Sequence, residues 1–488
     1  MNYLVVVVNH TVGTDAERRT SVSDEQLDLL VVGCGAGGLA TALQFLQSAP
    51  SGRVVILERA PKNGRGGNTA WTGAFFRLEE DGSPAADFTT RMIELSRGKT
   101  DEAIITRLAE LAQPTMHWLN QNGVATKSDL TYFLTSKGPR LMPAGGGASI
   151  VETLSARIEE LGGTIEYGVT AKELIQGDAE RVVGVEAVDS SGQPRRFLAR
   201  TVVLASGGFE GSGELLDRYL GDRGHELAPI APGGRSNKGE GIEMGIRAGA
   251  DTDGQFERFH GEPVDARTRC AEALVMVYPY GILVDHHGKR FVDEGADTPD
   301  NTFESVAYRI WRDADQFAYV IADQKLMRHN IARAVLTDRE PETAETIDAL
   351  ARRLDLDPDA LADTVAKYNA ATTAGPLDVT ALDGVATEGL EPPKSNWARP
   401  LDEPPYVAWP VTCAITFTFG GLKTDEQAQV INREGVPIPG LYAVGEVAGV
   451  YHHEYPGATS VLRALVFGRI AGKSAAHRIE TSTDPAFL

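Results

Sequence analysis

The chain has 488 residues, 42% of them hydrophobic and 24% charged, with a formal net charge of −21 at pH 7. That length exceeds what one ordinary core fills, so two domains are expected, with the composition of a globular protein. The acidic balance argues against nucleic acid and anionic membranes as partners, and no apolar run approaches the roughly 20 residues that span a bilayer. Cys34, Cys270 and Cys413 are far apart and form no C-x-x-C. A dithiol centre, a zinc site and a disulfide framework are therefore not expected, no other metal is, and the cytoplasm is the default location.

In chain order, Leu4 to Val8 is a short apolar run with no basic residue ahead of it, unlike a signal peptide. It reads equally as an extra edge strand or as a start codon placed upstream of the real one. Thr11 to Glu25 is polar and reads as a flexible lead-in, with residues 1–24 set outside the domain that follows. Leu29 to Val32 is an uninterrupted apolar run, as in a strand buried on both faces of a parallel sheet. Gly33, Gly35 and Gly38 follow at G-x-G-x-x-G spacing, and Leu39 to Leu46 continues with helical periodicity. Gly33 makes the tight turn, Gly35 admits a pyrophosphate to the backbone, and Gly38 lets helix and strand pack closely. The helix start, with Ala36 and Gly37, offers free N–H groups and a positive dipole to the phosphates. Val54 to Leu57 reads as the second strand. Glu58 at its end accepts hydrogen bonds from a ribose, with Arg59 beside it. A bound dinucleotide is expected.

Arg65 to Gly73 is a loop of small and hydrogen-bonding residues. Gly67 and Gly73 permit close backbone approach, and Asn68, Thr69 and Thr72 offer donors and acceptors to a flat polar ring; an ordinary turn is the competing reading. Asp101 to Leu119 reads as an outer helix, and Met142 to Ser149 as a glycine-rich lead into a helix from Ile150 to Leu161. Strands are expected at Thr164 to Tyr167, Arg181 to Val188 and Phe197 to Leu204. Val169 stands where a backbone meets an adenine edge, and Ser206 and Gly207 lie in a second glycine turn.

The order of these motifs, closed by a late Val444-Gly445-Glu446, resembles the flavoprotein subunits of the fumarate reductase and succinate dehydrogenase superfamily. The resemblance runs from Asp28 to His477. It implies an α/β fold: a Rossmann-like FAD-binding domain of the GR2 flavoprotein type with an inserted α+β capping domain. The FAD-binding domain is expected at 25–262 and 401–488 and the cap at 263–400. Asp265 to Arg399 is charged and free of glycine-rich nucleotide loops, with amphipathic helices at Ala344 to Leu354 and Pro358 to Thr372. The resemblance further implies that Glu446, next to Gly445, binds the ribityl chain. Ser460 and Val461 then open a last helix whose positive end faces the flavin. No histidine stands between Gly66 and Gly73, where relatives attach FAD covalently, so non-covalent FAD is expected.

The chain is also similar to tricarballylate dehydrogenases at Arg65 to Thr69, Arg290 to Asp297 and Ile415 to Phe419. Gly281 to Glu294 reads as a hairpin with His286-His287-Gly288 at its turn. Fumarate reductases carry an arginine proton donor where this chain has Thr298, a histidine where it has Phe417, and a substrate-binding arginine where it has Tyr455. These departures count against fumarate or succinate and leave a more aromatic pocket, with Phe417 and Thr418 facing substrate. Tyr455 to Thr459 is similar to the tyrosine and Pro-Gly-Ala-Thr element of 3-ketosteroid dehydrogenases, which implies a ketone oxygen held by the Tyr455 hydroxyl and the Gly457 N–H. Packing beside the flavin is the other reading of Tyr455. His452, His453 and Glu454 are acid–base candidates by proximity, one of them catalytic or substrate-facing and the others structural. Tyr278 and Tyr280 either supply a phenolate base from the cap or pack there. The expected activity is an FAD-dependent dehydrogenation α,β to a ketone or carboxylate of a small or cyclic carbonyl compound. Electrons leave to a separate acceptor or to oxygen. The rivals are an ene-reductase and a non-catalytic flavoprotein.

Overall fold

The computed structural model describes residues 27–130, 139–268, 270, 273–329, 331 and 335–481. The readings of Leu4 to Val8 and Thr11 to Glu25 lie outside the described residues, except that Leu27 already stands in the first strand. That strand, β1 (Leu27–Val32), is followed by helix α1 (Ala36–Ser48) and strand β2 (Val54–Glu58). Strands β3 (Thr164–Tyr167) and β4 (Pro194–Leu204) come next. The chain then builds β5 (Phe259–Asp265), β6 (Ile282–Val284), helix α2 (Pro299–Asp313), β7 (Ala318–Ala322) and the long β8 (Tyr406–Thr418). It ends with β9 (Pro437–Ala443) and helix α3 (Ser460–Thr481).

The larger sheet, eight-stranded among the described residues, runs in the order β9-β4-β1-β2-β3 through its centre, all parallel. Leu29, Leu30 and Val31 are fully buried because both faces of β1 are covered, which explains the unbroken apolar run. On one face α1 packs against α3. A side chain at Gly468 would meet the Gly37 carbonyl oxygen at 2.5 Å, and one at Gly472 the Thr41 carbonyl oxygen at 2.4 Å. Two glycines one turn apart therefore let the last helix lie directly on the first, fixing the start of α3 near the glycine loop.

The smaller sheet is antiparallel through β5-β8-β7-β6, with two further short strands on β8. The expected cap segment 263–400 falls short of this sheet at both ends. β5 begins at Phe259, and β8 continues the sheet as far as Thr418. A strand of 13 residues reads as continuous from either side, so composition does not mark where one layer hands over to the other. The cap's own core forms around Tyr278, Trp397 and Trp409. The expected hairpin is present but short, with Val284 paired to Arg290 and the Asp285 carboxylate accepting the His287 and Lys289 N–H groups at 2.9 Å each. No helix among the described residues is long and apolar enough to cross a membrane, and no group of three His, Cys, Asp or Glu side chains among them is placed to hold a metal ion.

Candidate active site

One cleft of about 580 Å³ runs from the end of β1 to the cap. Its first part is the turn between β1 and α1, where Gly33, Gly35, Ala36 and Gly37 line the wall. Gly38 lies behind them. A side chain there would sit 2.0 Å from the Gly33 carbonyl oxygen, so the third glycine is needed for helix–strand packing and not for ligand contact. Glu58 closes the same turn, accepting the Cys34 N–H at 3.2 Å and the Ala60 N–H at 2.8 Å. Burial raises its carboxyl above the ordinary range, and these N–H groups pull it back down. Arg59 lines the cleft but is already paired with Glu240 and the Ser236 carbonyl. Val169 lines it too, with its N–H donated to the Glu58 carbonyl at 3.0 Å, which leaves that N–H occupied.

The Arg65 to Gly73 loop crosses over the cradle. Thr69 accepts the Ala36 N–H at 3.1 Å, and Gly67, Asn68, Thr72 and Gly73 continue the lining. On the opposite wall stand Ser206, Gly207, Gly445, Glu446, Ser460 and Val461. The buried Asn68 Oδ1 and Ser206 Oγ have no hydrogen-bond partner among the described residues, although both residues line the cleft. A buried polar atom without a partner costs about 1–3 kcal/mol. A glycine cradle at a helix start, a carboxylate at the end of β2 and unpaired polar atoms along the wall together fit an FAD.

Two carboxyls meet behind this wall. Glu446 accepts the Thr418 N–H at 2.8 Å, and Thr418 thereby sits behind the cleft instead of lining it as expected. Glu210 is fully buried and receives the amide groups of Asn68 and Asn237 on one oxygen, at 2.7 and 2.6 Å. Burial, then the Glu446 carboxyl, push Glu210 well above the ordinary carboxylate range. Two desolvated carboxyls in contact cannot both ionise, so the pair holds a proton, and Glu210 is its seat.

At the far end the cleft meets Phe417, Thr416, Leu274 and Glu262. None of the residues expected to be catalytic lines it. The Tyr455 hydroxyl accepts the Thr459 and Ser460 N–H groups at 2.9 and 3.0 Å and donates to Ser460 Oγ at 3.1 Å, so it is consumed at the start of α3. Its ring lies behind the wall, 5.0 Å from Phe417. Gly457 belongs to that same turn, with φ +70°. His452 is buried against Asp253 at 3.3 Å, and His453 is tied through its N–H to Gln255. Burial, with Arg97 and Lys99 nearby, lowers His453 below the usual imidazole value. Tyr278 and Tyr280 are core residues of the cap and do not face the cleft. Their hydroxyls bond Thr302 at 2.7 Å and the Val379 carbonyl at 3.1 Å. Thr298 precedes α2 as its N-cap residue.

The groups that sequence reading missed are Glu210, Asn237, Arg463, His260, Glu262 and Glu304. His260 contacts Glu304 through Nδ1 at 2.6 Å and Glu262 through Nε2 at 3.4 Å. His260 and Glu262 share β5, but a register shift at His260/Gly261 interrupts the strand there, and no local pattern announces it. Arg463 sits in the first turn of α3, donating to the Ala448 carbonyl at 2.7 Å with its guanidinium 4.7 Å over the Tyr451 ring.

Known proteins share this chain's family and fold. A family model described as an FAD binding domain matches residues 28–462. The chain is 28% identical to an NADH:acrylate oxidoreductase of Vibrio harveyi, over 93% of this chain and 50% of that protein. It is 30% identical to a 4-oxocyclohex-2-ene-1-carboxylate 5-dehydrogenase of Sinomonas cyclohexanicum, over 72% of this chain and 63% of that one. It thus spans about half to two thirds of the length of these two relatives. The crystal structure of 3-ketosteroid-delta4-(5alpha)-dehydrogenase from Rhodococcus jostii RHA1 in complex with 4-androstene-3,17-dione is 26% identical, with a TM-score of 0.69 over 94% of this chain and 98% of that one. The chain belongs to the FAD binding domain family, and FAD is its cofactor.

Proposed function

We propose that this flavoprotein is a dehydrogenase that introduces a C=C bond α,β to the ketone of a small or cyclic substrate. The observation that carries this reading is the charge at the cap end of the cleft. Glu262 is the acid there, among Phe417, Leu274, Thr416, Ile230 and Ala231. A carboxylate in that position accepts a proton from carbon and repels a dicarboxylate. Reduction of a fumarate-type acid asks for the opposite: cations to hold the substrate and a donor to protonate it. Bound FAD supplies the two-electron acceptor. The residues of the chain supply an apolar wall for the carbon skeleton, the positive end of α3 with Arg463, and a proton acceptor.

The likeness to relatives named for ring ketones supports the reading. Likeness to an acrylate oxidoreductase supports the rival, a reductase running in reverse. Electrons leave to a separate acceptor or to oxygen, since the sequence has no second G-x-G-x-x-G. A cytoplasmic location belongs to the same reading, on the acidic charge and the cysteine spacing. Anaerobic mixing of the oxidised holoprotein with saturated cyclic ketones tests it: the flavin absorbance should bleach. Bleaching by none of them, with reoxidation of the reduced protein by an enone or enoate, would establish the reductase instead.

A further inference from the structure

Four acids line the cleft, and three already have other work. Glu58 and Glu446 accept backbone N–H groups, and Glu240 is paired with Arg59. Glu262 is the fourth. Its carboxylate lies 3.4 Å from His260 Nε2, and His260 Nδ1 lies 2.6 Å from Glu304 on α2. All three side chains are largely buried, at 13%, 6% and 14% exposure. The imidazole is boxed in by rings: Tyr455 at 4.5 Å, Phe417 at 5.2 Å and Phe303 at 5.4 Å between centroids. Its two nitrogens each face a carboxylate. Glu304 in turn accepts the Tyr455 N–H and feels the charge of Glu454, which is exposed. The line from Glu262 through His260 to Glu304 thus begins in the cleft and ends beside the surface.

A single carboxylate suffices to hold a structural histidine, and here there are two. Burial disfavours the imidazolium, but Glu262 and Glu304 outweigh it and raise His260 to about 10. Burial raises Glu304 above the ordinary carboxylate range, and the His260 imidazole pulls it back down.

We propose that Glu262 is the catalytic base that removes the α-proton, and that His260, held by Glu304, positions its carboxylate at the cleft. The proposal rests on the dehydrogenation reading above. The α C–H bond breaks and its proton goes to a Glu262 oxygen, while its electron pair becomes the new C=C bond. The β-hydrogen leaves with its own electron pair to the flavin. Glu262 gives the proton to water in the cleft once the product has left, which restores it for the next turnover, while the His260 imidazolium keeps its two N–H groups towards Glu262 and Glu304. His260 and Glu304 act through Glu262 and are positioning residues.

The test uses the holoprotein and its Glu262→Gln and Glu304→Gln variants, each first checked for bound flavin. Glu262→Gln should slow anaerobic bleaching by a saturated ketone by ~100-fold or more, the usual scale of a general base. Should that variant fail to fold, Glu262→Ala takes its place, and added formate should restore bleaching. A second readout needs no turnover. In ¹⁵N-histidine NMR, His260 should stay doubly protonated at pH 8 in the wild type and titrate nearer the ordinary imidazole value in Glu304→Gln. Glu304→Asp should restore the wild-type titration. Full-speed bleaching by Glu262→Gln in a protein whose wild type reacts overturns Glu262 as the base and leaves the dehydrogenase standing. A wild type that reacts only with enones overturns the dehydrogenase, and the role of Glu262 in proton transfer then stands only if Glu262→Gln slows that reverse reaction equally. Silence of the wild type in both directions overturns both.

Discussion

Tyr455 is fastened to Ser460: its hydroxyl accepts the Ser460 N–H at 3.0 Å and donates to the Ser460 Oγ at 3.1 Å. It also takes the Thr459 N–H at 2.9 Å. A tyrosine thus performs the work that a serine or aspartate usually does at a helix start, satisfying N–H groups that have no intrahelical acceptor. The helix it caps is α3, whose first turn lines the cleft.

Tyr455→Phe should therefore act on stability and flavin affinity more than on chemistry. Losing the cap is expected to cost about 1 kcal/mol, seen as a lower Tm and weaker FAD binding. Bleaching at saturating FAD should change little. A large kinetic loss with unchanged Tm would return Tyr455 to the reacting centre.

The pair of Glu210 and Glu446 gives a pH signature. Glu210 is raised well above its ordinary value in the folded chain, so the folded state binds a proton that the unfolded state releases. That stability is fully present below the unfolded value near 4.3 and is lost as pH rises towards the folded one. While one proton separates the states, the slope is about 1.4 kcal/mol per pH unit. Glu210→Gln keeps an uncharged group of the same shape and should remove this slope. Denaturation midpoints measured across pH 5 to 8 check it, and equal slopes in both proteins would place the proton elsewhere.

No histidine lies between Gly66 and Gly73, so denaturation in acid should release free FAD into the supernatant. Flavin fluorescence that stays with the precipitated polypeptide would contradict this. Ser206 Oγ is buried in the wall without a protein partner. Ser206→Ala should weaken FAD binding by about 1 kcal/mol, roughly fivefold in Kd.

Glu294→Ala should strike the cap. Glu294 is fully buried, pairs with Arg290 at 2.6 Å and accepts the Leu283 N–H at 2.8 Å. Removing it strands a guanidinium that is itself only 4% exposed. A loss of about 3–5 kcal/mol is expected, read as a drop in Tm. A change within 1 kcal/mol would mean that Arg290 finds another acceptor. The Arg290 to Asp297 stretch is thus a clamp within the cap: Arg290 also reaches the Pro392 and Pro393 carbonyls at 2.7 and 3.1 Å.

The residues of the cradle were legible because their physics is local. Gly33 and Gly35 stand in one turn between β1 and α1, and Glu58 at the end of β2, positions that a strand end and a spaced glycine pair mark locally. Ser206 was legible for the same reason, standing at the end of β4. Tyr278 and Tyr280 show the limit. Both are near-core aromatics by composition, and only the packing of the cap shows that their hydroxyls turn inward to Thr302 and Val379. Tyr455 shows another. Its sequence neighbourhood resembles an electrophilic site, yet where α3 begins determines which N–H groups the hydroxyl meets.

What the sequence determined by itself is the cofactor and its anchoring turn, because a strand, three spaced glycines and a helix have few ways to fold and leave N–H groups aimed at a phosphate. What only the tertiary structure decided is the reacting end. Glu262 and His260 come from β5, Glu304 from α2 and Phe417 from β8, up to 157 residues further along the chain. Spacing cannot bring such groups together; the pairing of β5 with β8 and the seating of α2 on them does. Side chains that are unremarkable apart in sequence become a buried Glu262–His260–Glu304 trio once the sheet closes and excludes the water between them.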